Sequence, residues 1–311
     1  MGQPYTRSRY YHLYINGQYW GLYQTQERSE AAFAEEYFGG KREDYDVVKH
    51  YGNRIYRNNM TDGNWDAFTR LYNAAMAGFS TDEAYYGAQG LDPVTHEHDP
   101  ARERLIDVDN LIDYMIGIFY TGDRDAPISN FLGNSAVNNY FGIYNRENPG
   151  GWKWFRHDGE HTLDKGMEDR TGPWTHSNFN SRDYFNPQIL HQKLVAHPDY
   201  RMRFADRVHL HFHNGGVFDP ATAQAAIQYR ADQIDMAIIA HSARWGQGNT
   251  KSTWLNAVNA VKNWTNTGFG APGTRTEEVI SQLRSDGWSP TIDAPWFNQH
   301  GGQVAPPFTL S

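Results

Sequence analysis

Not one of the 311 residues is a cysteine. That absence removes disulfide staples, thiolate metal sites and thiol nucleophiles together, and leaves the redox compartment open. Long apolar runs are missing too: nothing approaches the roughly 20 residues of a bilayer-spanning helix, and the opening MGQPYTRSRYY has neither a hydrophobic signal core nor a cleavage site. Positive charge is scarce, with 28 Lys and Arg against 36 Asp and Glu and a formal net charge of -8. A phosphate-neutralising nucleic-acid face requires the opposite balance, so no nucleic-acid partner and no membrane span are expected.

What is present suits a folded, soluble chain of one large or two medium domains, with 39% hydrophobic and 21% charged residues. Aromatics are abundant at 15%, and the simplest use for them is to fill a core and half-buried strands. YYHLYINGQYWGLYQTQER alternates with period two around Asn16-Gly17, a pair whose tolerance of positive φ marks a hairpin, with strands over 10–15 and 18–25. Ser29 is expected to cap a short helix through EAAFAEEYF, stopped by Gly39-Gly40. DYDVVKH (44–50) predicts a third strand leading to Lys49, and GNWDAFTRLYNAAMAGF a helix with Trp65, Phe68, Leu71, Tyr72 and Met76 on one face. Residues 80–104 show turn formers, charge and no periodicity, and predict a connecting segment.

From Asp109 the pattern changes. DNLIDYMIGIFYTG is apolar on nearly every side, which predicts a buried central helix. NNYFGIYN and GWKWFRHD predict paired strands, and helical patterns come next in PQILHQKLVAH, PDYRMRFADRVHLHFHNGG, DPATAQAAIQYRADQIDMAIIAHSARWG and RTEEVISQLRSDG. The fold class is therefore α+β, divided as a strand-rich part with its connecting segment (1–104), a helical part (105–290) and a closing linker (291–311).

The chemistry concentrates after the buried helix. In GDRDAPISN, Asp125 lies five residues before Asn130, the offset at which a kinase catalytic loop places its proton-accepting aspartate and a metal-binding asparagine. Asp123 competes as base, but position 128, five beyond it, is Ile and no ligand. In FRHDGEH, Asp158 follows an aromatic strand and precedes Gly159, in the manner of the metal-holding aspartate of kinases. Phosphoryl transfer needs hard oxygen ligands and a carboxylate near the nucleophile, and two acidic loops can provide both.

HLYINGQYWGLYQTQER, then FGG, DYDVVK, NLIDYMIGIFYTGDRDAPISN and WKWFRHDGEHTL, resembles the spore coat CotH kinase family of bacteria, over nearly the whole chain. The resemblance implies an atypical protein-kinase-like, two-lobed fold with a truncated strand-rich N-lobe and a mainly helical C-lobe. It implies ATP- and Mg2+- or Mn2+-dependent phosphorylation of a serine-rich, secreted or surface protein. It assigns Asp125 as catalytic acid-base residue, Asn130 and Asp158 as metal ligands, and Glu160 as a further metal contact. Lys49 becomes the phosphate-contacting lysine and Glu27 the acid that orients it, although in ordinary kinases the lysine precedes its glutamate. Only fifteen residues precede the Asn16-Gly17 turn, where the family has a longer segment, so a fragment of a large exported protein is expected.

Two other readings stay open. One is a surface adhesion module that keeps the fold without the chemistry. The other is a carbohydrate-active enzyme using Asp158 and Glu160, which a shared strand would point to one side. Zinc held by His157 and His161, or by His209 and His213, is disfavoured because HDGEH carries a central glycine and the second pair sits in a helix packed by Leu210 and Phe212.

Overall fold

The Asn16-Gly17 pair turns the chain with φ of 50° and 78°, both left-handed. It joins two antiparallel strands, β1 (Ser8–Ile15) and β2 (Gln18–Gln26), in the register Ile15 to Gln18 through Ser8 to Gln26, with a bulge between Leu13 and Tyr14. The computed structural model describes residues 1–50, 56–164, 168–246, 250–266 and 273–293. After the hairpin comes α1 (Ala31–Phe38). Its N-cap is Glu30 rather than Ser29, with no side-chain capping bond, and Ser29 is buried.

A second sheet has the order β4-β3-β5-β6, built from β3 (Tyr45–His50), β4 (Asn58–Asp62), β5 (Tyr140–Asn145) and β6 (Lys153–Arg156). All of its pairings are antiparallel. Strand alternation gives this sheet two apolar faces. Tyr45, Val47, Phe141, Ile143 and Phe155 pack with Ala31, Phe33 and Ala34 of α1. Val48, Tyr140, Tyr144 and Trp154 join the large core on the other side. Strand β4, reading NNMTD, has no apolar alternation to announce it and exists through pairing with β3.

That large core is organised by α4 (Val108–Thr121), which is buried at every position from Val108 to Tyr120 except Asp109. Around it lie α2 (Asp66–Ala77), α3 (Asp82–Gly87), α5 (Pro187–Leu194), α6 (Pro198–Phe212), α7 (Pro220–Asp232), α8 (Ala237–Trp245), α9 (Lys251–Asn266) and α10 (Arg275–Ser285). Helix α3 lies in the expected connecting segment. Thr81 caps it by accepting from the Ala84 N–H, and its Tyr85 is buried. Bridges from Gln89 to Arg104 and from Leu91 to His98 order the rest of that segment. The long helical pattern from Asp219 is divided into α7 and α8, and α9 arises where no helix was expected.

The architecture is the α+β, two-lobed, kinase-like arrangement, with a strand-poor first lobe and a helical second one. Strands from both sides of residue 104 share one sheet. Residues 294–311, most of the expected linker, lie outside the described residues.

Candidate active site

Helix α4 delivers the first acidic loop by the way it ends. Gly122 adopts φ 62°; its N–H bonds to the Phe119 carbonyl at 3.3 Å and the Asp123 N–H to the Ile118 carbonyl at 3.2 Å. This pair of bonds closes the helix and turns the chain sharply. Asp123 then disappears from solvent, accepting from Arg156 Nη2 at 2.6 Å and from the Asp125 N–H at 3.1 Å. Its role is to brace the loop against β6.

The loop folds back on itself. The Ser129 N–H bonds to the Ala136 carbonyl at 3.1 Å and the Asn138 N–H to the Pro127 carbonyl at 3.0 Å. Arg170, almost wholly buried, ties the same loop down through the Ile128 carbonyl at 2.6 Å and Asn134 Oδ1 at 3.2 Å. This return brings Asn138 and Asn139 beside Asp125. Each Nδ2 donates to Asp125 Oδ2 at 2.9 Å, and the buried Ser129 hydroxyl donates to Oδ1. Three donors thus fix the orientation of one carboxylate.

The second acidic loop leaves β6. Asp158 is exposed and left-handed, with φ 53°. Strand β6 has already ended at Arg156, so Asp158 and Glu160 do not alternate along one strand as the glycosidase reading required. Ligand atoms of Asp125, Glu160 and His161 lie within 4.8 Å of one another. Partial desolvation first, and then the neighbouring Asp158, push the Glu160 carboxyl above its usual range. Carboxyl groups held this close favour a shared proton or a cation.

Lys49 stands at the end of β3, 3.7 Å from Glu30 Oε1 and 5.5 Å from the centre of the Phe141 ring. Glu27, the acid expected beside it, is elsewhere: its carboxylate accepts from the Tyr37 hydroxyl and, at 2.8 Å, from the Arg7 N–H. Those bonds lower its pKa, the tyrosine most. Asn130 begins a 3-10 turn and is exposed; its backbone N–H bonds to the Arg124 carbonyl at 2.7 Å. The amides on Asp125 are those of Asn138 and Asn139. Sequence reasoning passed over them because the offset of five drew attention to Asn130; the Asn-Asn pair opening the aromatic strand was their only signal. Of the two histidine pairs, His161 joins the acidic group, while His209 and His213, with rings 5.1 Å apart, join no such cluster among the described residues.

His50 completes the surroundings. Its Nδ1 accepts from the Asn139 N–H at 3.0 Å, and burial first, then the charges of His157 and Lys49, lower its pKa to about 4. The His157 N–H bonds to the Asn139 carbonyl at 3.2 Å, and burial likewise lowers the pKa of the His157 ring.

A family model described as CotH kinase protein matches residues 1–267. No curated protein matches the chain.

Proposed function

The chain belongs to the CotH kinase protein family, and from that premise we propose that it transfers the γ-phosphoryl group of ATP to serine, and secondarily threonine, of a serine-rich secreted or surface protein. A kinase-like function follows from the family itself. The finer reading is carried by one observation: two loops remote in sequence bring ligand atoms of Asp125, Glu160 and His161 within 4.8 Å of one another.

Two carboxylates and an imidazole fit a divalent cation of the Mg2+ or Mn2+ class, the imidazole suiting Mn2+ better. Glu160 and His161 would hold the ion next to the Asp125 carboxylate, with Asp158 in the same loop. Such an ion supplies neutralisation of charge on the transferring phosphoryl oxygens. The remaining work belongs to the side chains. Asp125, oriented by Ser129, Asn138 and Asn139, accepts the proton of the acceptor hydroxyl. The hydroxyl oxygen bonds to the γ-phosphorus as the bridging oxygen leaves with ADP. Lys49, steadied by Glu30, neutralises the α/β-phosphates.

Labelled ATP, Mn2+ or Mg2+ and a serine-rich peptide test this. Incorporation is expected, reduced by about 10²–10⁴ in Asp125→Asn, the range for loss of a general base, and abolished in Asp158→Ala. Equal labelling by the wild type and Asp158→Ala would reject the assigned role. Peptide binding without any transfer would favour the adhesion reading.

A further inference from the structure

The end of β3 carries two adjacent residues that serve different partners. Lys49 faces Glu30 and Phe141, and its neighbour on the strand, His50, faces the opposite way, with its Nδ1 3.0 Å from the Asn139 N–H. A backbone amide can only donate, so Nδ1 is the acceptor and the imidazole proton, when neutral, sits on Nε2. Asn139 is held at three points. Its N–H goes to His50, its carbonyl accepts from the His157 N–H at 3.2 Å, and its side chain donates to Asp125 Oδ2 at 2.9 Å. Its φ of 48° is left-handed, a conformation that asparagine tolerates but that costs free energy unless its surroundings hold it.

We propose that His50 is a positioning residue: through the Asn139 backbone it fixes the amide that orients Asp125, and so couples the strand bearing Lys49 to the loop bearing the base. The inference rests on the kinase reading above for its catalytic consequence, but not for its structural content. Among the described residues His50 is the acceptor of the Asn139 N–H, so its loss frees Asn139 to leave the left-handed conformation and swings that side chain off the carboxylate. His157 grips only the carbonyl, and His157, Lys49, Asp125 and Asp158 act on the imidazole by charge.

Three proteins decide the matter: wild type, His50→Ala and His50→Asn, whose Oδ1 occupies the place of Nδ1. Hydrogen exchange at the Asn139 amide reports the bond directly. His50→Ala is expected to lose at least about tenfold in protection there, and His50→Asn to keep it. In phosphoryl transfer, His50→Ala is expected to lower kcat by about 10- to 100-fold, the scale of a small misplacement, with KM for ATP unchanged, and His50→Asn to recover within about threefold of wild type. Unchanged protection and unchanged kcat in His50→Ala would overturn the proposal, as would a rise in KM alone. If the wild type transfers no phosphate, the kinase reading fails, and the exchange measurement still decides whether His50 holds Asn139.

Discussion

Asp125 is held by hydrogen bonds from three side chains supplied by a loop that returns to it. Hydrogen bonds to a charged group contribute about 1.5–3 kcal/mol each, so Asn139→Ala is expected to reduce transfer about 10- to 100-fold while leaving the circular dichroism spectrum intact. Asn130→Ala, altering an exposed side chain that makes no hydrogen bond to that carboxylate, is expected to do much less. Single-turnover labelling of both variants checks the ranking, and a larger loss in Asn130→Ala would favour the metal-ligand role that the spacing had suggested for Asn130. The acids Asp125, Asp158 and Glu160 could be singled out as candidates because their spacing and their places after a buried helix and an aromatic strand match the acidic loops of phosphoryl transfer. The residues placed around Asp125 and Lys49 were not. Asn138, Asn139, Glu30 and His50 take part through a chain reversal and a strand pairing that no local pattern encodes.

Single elements show where local chemistry sufficed. The Asn16-Gly17 hairpin and the buried helix α4 were readable, since a positive-φ turn and an apolar surface on nearly every side each have one economical solution. Helix α4 also sets the site, through Gly122. A Cβ there would meet Glu168 Cβ at 3.2 Å in a backbone conformation of φ +62°. Gly122→Ala is therefore expected to cost about 1–2 kcal/mol, read as a lowered denaturation midpoint, and to reduce transfer because the turn launches Asp123 and Asp125. An unchanged midpoint would show that the loop relaxes freely. Helix α3 escaped prediction because it is only six residues long, too short for a period to declare itself. Strand β4 escaped because its polar residues are held by a neighbour's backbone rather than by their own burial.

Across the whole molecule, a core reaching from Val48 to Trp288 encloses titratable groups whose ionisation opposes folding. His191 is fully buried among Phe119, Phe204 and Trp288, with its Nδ1 2.7 Å from the Tyr200 hydroxyl. Burial alone lowers its pKa to about 3. Since the folded value lies below the ordinary 6.5, the unfolded chain takes up the proton first. The contribution is complete above about pH 6.5 and is lost as pH falls towards 3, at up to about 1.4 kcal/mol per pH unit. Thermal melts from pH 7.5 to 4.5 should show a shallower decline in His191→Phe than in the wild type; parallel slopes would acquit this residue. Among the described residues no helix is long and apolar enough to cross a membrane, in keeping with the lack of long apolar runs. By itself the order of residues determined the α+β class, the turn, the buried helix and the chemical kind of the acidic loops, because each follows from interactions between near neighbours. Only the tertiary structure decided which amides meet Asp125, which glutamate meets Lys49 and which acidic groups come within 4.8 Å of one another, because those depend on the packing of segments far apart along the chain.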